Sequence, residues 1–141
     1  MGLFEWLFGK LPNPRAFLAG DGCYNFEIVG ESFYQDALLH IVGEKTEDEA
    51  QHECTATLLL DDRNPHDRNA VAVFIDGHKV GHLSREDARD FRTFIAHTGL
   101  RQAECSAIIN GGWKRRKSEG SFGVMLDLEW PPRLEQKSSV S

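Results

Sequence analysis

What this chain lacks narrows its function first. It has three cysteines, Cys23, Cys54 and Cys105, each more than thirty residues from the next and none in a C-x-x-C pair. An odd count at that spacing fits neither a disulfide framework nor a zinc site, and it predicts a reducing, cytoplasmic home. No run approaches the roughly 18 apolar residues of a membrane span. The apolar opening, Leu3 to Phe8, carries Glu5 and has no basic flank, so it does not read as a secretory signal. Trp6 stands where myristoylation needs Ser or Thr. A basic excess is missing too: 16 Lys and Arg against 22 Asp and Glu leave a formal charge of −6. Any nucleic-acid site must therefore be a local basic surface. Carboxylates spaced for catalysis are also lacking. Asp61, Asp62 and Asp67 with His66 are Mg²⁺-type groups, but no spaced partner carboxylates converge on a second metal. The expectation is a non-enzyme without metal or cofactor.

What is present is a globular balance, 40% hydrophobic and 27% charged in 141 residues, enough for one domain with tails. We divide the chain into a short apolar segment and linker (1–22), a folded domain (23–132) and a polar, disordered tail (133–141). The apolar segment is closed by Pro12 and Pro14. It can dock on its own domain, contact a partner or rest on a lipid surface.

Tyr24 to Val29 alternates with period two, as a half-buried strand does. Asp36 to Val42 is a second apolar run, strand or short helix. Glu44 to Glu53 is acidic and reads as a solvated loop. Cys54 to Leu60 resumes strand. Asp61 to Asn69 is dense in turn formers, and Ala70 to Ile75 is an apolar strand of the kind buried on both faces. Asp76-Gly77 supplies the positive-φ pair of a type I′ hairpin, with His78 to Leu83 returning. Ser84 caps a helix through Asp87, and Ala88, Phe91, Phe94, Ile95 and Thr98 share one face before Gly99 closes it. Alternation returns in Ala103 to Ile109 and in Phe122 to Trp130. Between them stands Trp113 followed by Lys114, Arg115, Arg116 and Lys117. About six short strands and one capping helix predict a mainly β fold, a small closed or partly closed antiparallel barrel with Phe91, Phe94 and Ile95 closing its core.

Three blocks in order carry a resemblance: Ile28-Val29-Gly30-Glu31-Ser32-Phe33-Tyr34-Gln35, Asn64-Pro65-His66-Asp67-Arg68-Asn69-Ala70-Val71-Ala72-Val73, and Val80-Gly81-His82-Leu83-Ser84-Arg85-Glu86-Asp87-Ala88. Over roughly Phe26 to Trp130 the chain resembles the HIRAN domain, found in fork-remodelling helicases and as small free-standing bacterial proteins. The resemblance implies an OB-like barrel that grips the 3′ end of single-stranded DNA, in DNA repair or replication-fork processing, beside a partner such as a helicase or nuclease.

By the same resemblance Asp67 meets the terminal 3′ hydroxyl, Phe122 stacks on a base, His82 and Arg85 contact phosphates, and Phe33 fills a position that is often Tyr. Tyr34, Asn64 and His66 belong to the same blocks and complete the expected site. Two positions depart from the helicase pattern: His66 replaces Tyr, and Ser32 replaces Arg in the first block. Both reduce the stacking surface around the terminal base and predict weaker affinity.

Each sharp reading has a plainer one. Asn64 and Asp67 also build a turn, and Gly81 also marks a bulge or close backbone approach. Trp113 with Lys114 to Lys117 is either a solvated loop or the ring-plus-charge recipe of single-strand binders. A different class of function also remains, a protein-interaction module whose DNA groove has decayed and whose apolar N-terminal segment recruits a partner.

Overall fold

A computed structural model describes residues 16–135; the apolar opening, Leu3 to Phe8, lies outside them. The chain builds β1 (Phe26–Glu27), a 3-10 turn (Glu31–Tyr34), α1 (Gln35–Val42), β2 (Ala50–Asp61), β3 (Ala70–Ile75) and β4 (His78–His82). There follow α2 (Arg85–Ala96), β5 (Gln102–Gly111), β6 (Lys114–Arg115), β7 (Ser118–Glu119) and β8 (Phe122–Asp127). Six strands form one antiparallel sheet in the order β1-β8-β5-β2-β3-β4, a mainly β half-barrel with two helices. The gap between its edges is spanned by one segment: Phe26 and Glu27 pair with β8, and Val29 then exchanges two backbone hydrogen bonds with His82 on β4 (2.8 and 2.9 Å).

The strongest local signals set the frame. β3 is buried on both faces except at Phe74, and Asp76 and Gly77 turn the chain with φ of 50° and 77°. The Ser84 hydroxyl accepts the Asp87 N–H at 3.1 Å and starts α2. Gly81 is needed for close approach, because a Cβ there would lie 2.7 Å from the Val29 carbonyl oxygen. The register of β3 against β4 also shifts between Val73 and Phe74, a bulge that re-aims the strand at His82.

Several expectations need correction. A second helix accompanies the expected one: Leu38, Ile41 and Val42, spaced i, i+3, i+4, put α1 against the core. Phe94 is only half-buried, its ring centroid 6.2 Å from that of Phe91, while Ala88, Phe91 and Ile95 hold the buried face. The acidic stretch is a loop only in its first half, since β2 begins at Ala50 with Gln51 and Glu53 turned to solvent. The first strand is cut to two residues because the chain must cross from one sheet edge to the other.

β8 stops at Asp127, whose carboxylate accepts the Gly22 N–H at 2.9 Å. Residues 16–19, assigned to the linker, are part of the sheet's margin: Leu18 N–H donates to the Glu104 carbonyl at 2.7 Å, and Leu18 is fully buried. Residues 133–135, assigned to the tail, pair with them, Glu135 N–H donating to Phe17 and Ala19 N–H to Arg133.

Candidate nucleic-acid interface

The loop between β2 and β3 is organised by its own polar side chains. Asn64 Oδ1 accepts the N–H groups of His66 (2.9 Å) and Asp67 (3.1 Å), and Asp67 Oδ1 accepts that of Asn69 (2.9 Å). These are Asx turns, so the turn-forming reading of Asn64 and Asp67 holds. The loop's far end is tied to α2 by Arg92, which donates to the carbonyls of Asn69 (2.7 Å) and Ala70 (2.8 Å) and pairs with Asp62 at 2.9 Å. Arg101 completes that pair. The two guanidiniums, Arg92 foremost, hold the Asp62 carboxyl below its ordinary range. Sequence reasoning missed Arg92, whose i, i+4 neighbours gave no sign that it reaches back twenty residues to a loop.

Against this loop lie the end of β4, the 3-10 turn and the first turn of α2, and they enclose a cavity of about 790 Å³. Phe33, Tyr34, Asn64, His66, Asp67, His82 and Arg85 all line it, so seven predicted residues from three separate blocks come together. Val29, Gly30, Ala70 and Leu83 supply the remaining wall; they carry no chemistry of their own and had no distinguishing signal. Phe33 is 85% exposed, an unusual position for so large an apolar ring. Tyr34 stands with its ring 6.3 Å from that of His82. Asp67 Oδ2 lies 3.9 Å from Arg85 Nε, beyond hydrogen-bond distance, so that oxygen is left to accept from a ligand.

Asp61 is spent elsewhere. Its carboxylate holds Lys79 (3.4 Å) and the Asn64 amide (3.3 Å) and stands 3.7 Å from His82 Nε2. Burial lowers the His82 pKa below its ordinary 6.5, Lys79 adds to the effect, and Asp61 opposes it. The balance favours the neutral imidazole. Asp61, Asp62 and Asp67 face three different sets of partners, and among the described residues no group of three or more His, Cys, Asp or Glu side chains is placed to hold a metal ion.

The other predicted residues lie apart from the cavity. Phe122 is 3% exposed in the core, with Gly112 packed so closely on its ring that a Cβ there would meet it at 2.0 Å, and Lys45 Nζ 5.6 Å from its centroid. A ring so enclosed offers no face to a base, which corrects the expected stacking role. Trp113 is half-buried, against Gly120 on one side and under the Arg115 guanidinium, 4.7 Å from the ring centroid.

Lys114, Arg115, Arg116 and Lys117 tip a small β6–β7 hairpin that packs on the acidic stretch rather than on the cavity. Lys114 N–H donates to Thr46 (2.6 Å), Arg115 Nε to the Glu47 carbonyl (3.3 Å) and Gly111 N–H to Glu49 (3.1 Å), while Lys45 pairs with Glu119 at 3.8 Å. Five cations (Lys45 and 114–117) and five acidic residues (Glu44, Glu47, Asp48, Glu49 and Glu119) thus lie on segments bonded to one another, which brings opposite charges near each other and weakens the local field.

A model of the HIRAN domain matches residues 21–119. This chain belongs to the HIRAN family. The match takes in every residue that lines the cavity and ends before β8, so the position of Phe122 falls outside it. HIRAN domains are non-catalytic modules that bind DNA ends. No curated protein and no solved structure gives a significant match. No helix among the described residues is long and apolar enough to cross a membrane.

Proposed function

We propose that this HIRAN domain binds the free 3′ end of single-stranded DNA, seating the terminal nucleotide in the cavity without catalysing a reaction on it. The observation that carries the reading is the pairing of opposites in one cavity. A carboxylate with a free acceptor oxygen, Asp67, shares it with an exposed aromatic ring, Phe33, and with two phosphate-type donors, His82 and Arg85. A hydroxyl is the group such an oxygen accepts, a base is what the ring stacks on, and the adjoining phosphodiester suits the donors. Service in DNA repair or fork processing, beside a helicase or nuclease, follows from that end specificity.

Titration of fluorescent oligonucleotides with one end blocked tests this directly. Strands with a free 3′ end should bind, and those with only a free 5′ end should bind far more weakly. Equal affinity for both, or none for either, refutes end reading; the second result leaves the protein-interaction function.

The pH dependence has a definite sign. In the free protein His82 is held below 6.5, and a phosphate beside it favours the charged form. A proton is then taken up on binding, so affinity should rise as pH falls from 8 through the bound-state pKa. Stability moves the other way: the unfolded chain protonates first, so the His82 contribution is fully present above 6.5 and is lost as pH falls toward the lowered folded-state value. Titrations across that range should show the gain in wild type and a smaller one in His82→Gln, which leaves His66 as the cavity's remaining imidazole.

A further inference from the structure

Beside the main cavity lies a second, of about 310 Å³, lined by His66, Asp67, Asn69, Arg85 and Arg89. His66, Asp67 and Arg85 belong to both, so the two are consecutive compartments divided by the Asp67–Arg85 pair. Arg89 is exposed, and among the described residues its guanidinium makes no ion pair or hydrogen bond. It sits four residues after Arg85 on α2, where i, i+4 side chains stand side by side with Cβ atoms about 5–6 Å apart. The acidic residues of the same helix turn, Glu86, Asp87 and Asp90, do not line this compartment. Two adjacent guanidiniums are matched to successive phosphates of an extended strand.

Resting on the reading that the main cavity holds a 3′-terminal nucleotide, we infer that the second compartment is a phosphodiester subsite for the next nucleotide inward. The strand leaves the domain along α2 through Arg89, not across the basic hairpin. The hairpin is bonded to the acidic stretch, whereas the one carboxylate lining Arg89's compartment, Asp67, stands 3.9 Å from Arg85 and makes no ion pair with Arg89.

The test compares a dinucleotide with an eight-nucleotide strand, both ending in a 3′ hydroxyl, over a salt series. Arg89→Ala should weaken the longer strand about two- to fivefold, as an exposed charge contact does. Its log–log salt slope should flatten by about 0.7, one phosphate contact. The dinucleotide, with a single phosphodiester, should lose less. Arg89→Lys should restore the slope, because the charge is what counts. Replacing 114–117 together by Ser should leave both affinity and slope as in wild type.

If Arg89→Ala binds the longer strand as tightly as wild type does, the α2 exit is wrong while end binding stands. If the hairpin variant loses the slope instead, the strand runs over β6–β7. If wild type binds neither oligonucleotide, the end-binding reading fails and the exit path with it. Arg89 lies on the solvent face, so its variants fold.

Discussion

A 3′-phosphorylated strand should bind the wild-type domain about fivefold to several hundredfold more weakly than the same strand with a 3′ hydroxyl. That range is what about 1–4 kcal/mol of like-charge repulsion at 4 Å produces between water-like and surface-like screening. The Asp67 side chain is 26% exposed and Arg85, 79% exposed, stands close enough to offset part of the repulsion, which favours the lower half of the range. Asp67→Asn isolates the charge. Asparagine keeps an Oδ1 for the Asn69 N–H that Asp67 now accepts at 2.9 Å, so the turn and the melting temperature should survive. In place of the second oxygen it presents an NH₂ donor, which welcomes phosphate, so the preference should vanish or invert. Asp67→Ala should lose both the preference and some stability, because the Asn69 N–H is left without its acceptor. Equal binding of the two wild-type ends, or an Asp67→Asn loss that merely tracks the folded fraction, would remove Asp67 from the end-reading role.

The same residue shows how much of the site was legible in advance. Turn chemistry and hydroxyl recognition both need an acceptor at position 67, and the structure lets one carboxylate serve the first with Oδ1 while Oδ2 remains free. Local signals of this kind were readable: the Asp76-Gly77 hairpin, the Ser84 cap, and the alternation in β5, whose even-spaced Ala103, Cys105, Ala107 and Ile109 are all buried. What escaped was set by residues far apart in the chain. Residues 16–19 and 133–135 are too few to display a period, and they join the sheet only because the β5 margin beside Glu104 is open to them. The four-cation run reads as a DNA track until Thr46, Glu47 and Glu49, more than sixty residues upstream, close on it.

Two phenylalanines make the sharpest case, since nothing in their chemistry says which is inside. Phe33 sits on the 3-10 turn at the cavity's edge and is 85% exposed; Phe122 opens β8 and is 3% exposed. Gln35, next along from the cavity-lining Tyr34, holds the Phe122 backbone from both sides, its amide oxygen accepting the N–H at 2.8 Å and its Nε2 donating to the carbonyl at 2.9 Å. The two substitutions should therefore separate cleanly. Phe33→Ala should weaken oligonucleotide binding by about 1–3 kcal/mol, the worth of one base stacked on an aromatic ring. Its unfolding free energy should stay within about 0.5 kcal/mol of wild type, as befits an exposed side chain. Phe122→Ala should instead cost about 3–5 kcal/mol of stability through the cavity it leaves, a large part of the roughly 5–15 kcal/mol that a domain has. Per folded molecule its affinity should be near wild type. Denaturant unfolding and oligonucleotide titration on both variants decide the matter. If Phe122→Ala folds normally and fails to bind while Phe33→Ala binds as well as wild type, the stacking surface lies at the start of β8 and the ring must leave the core to form it.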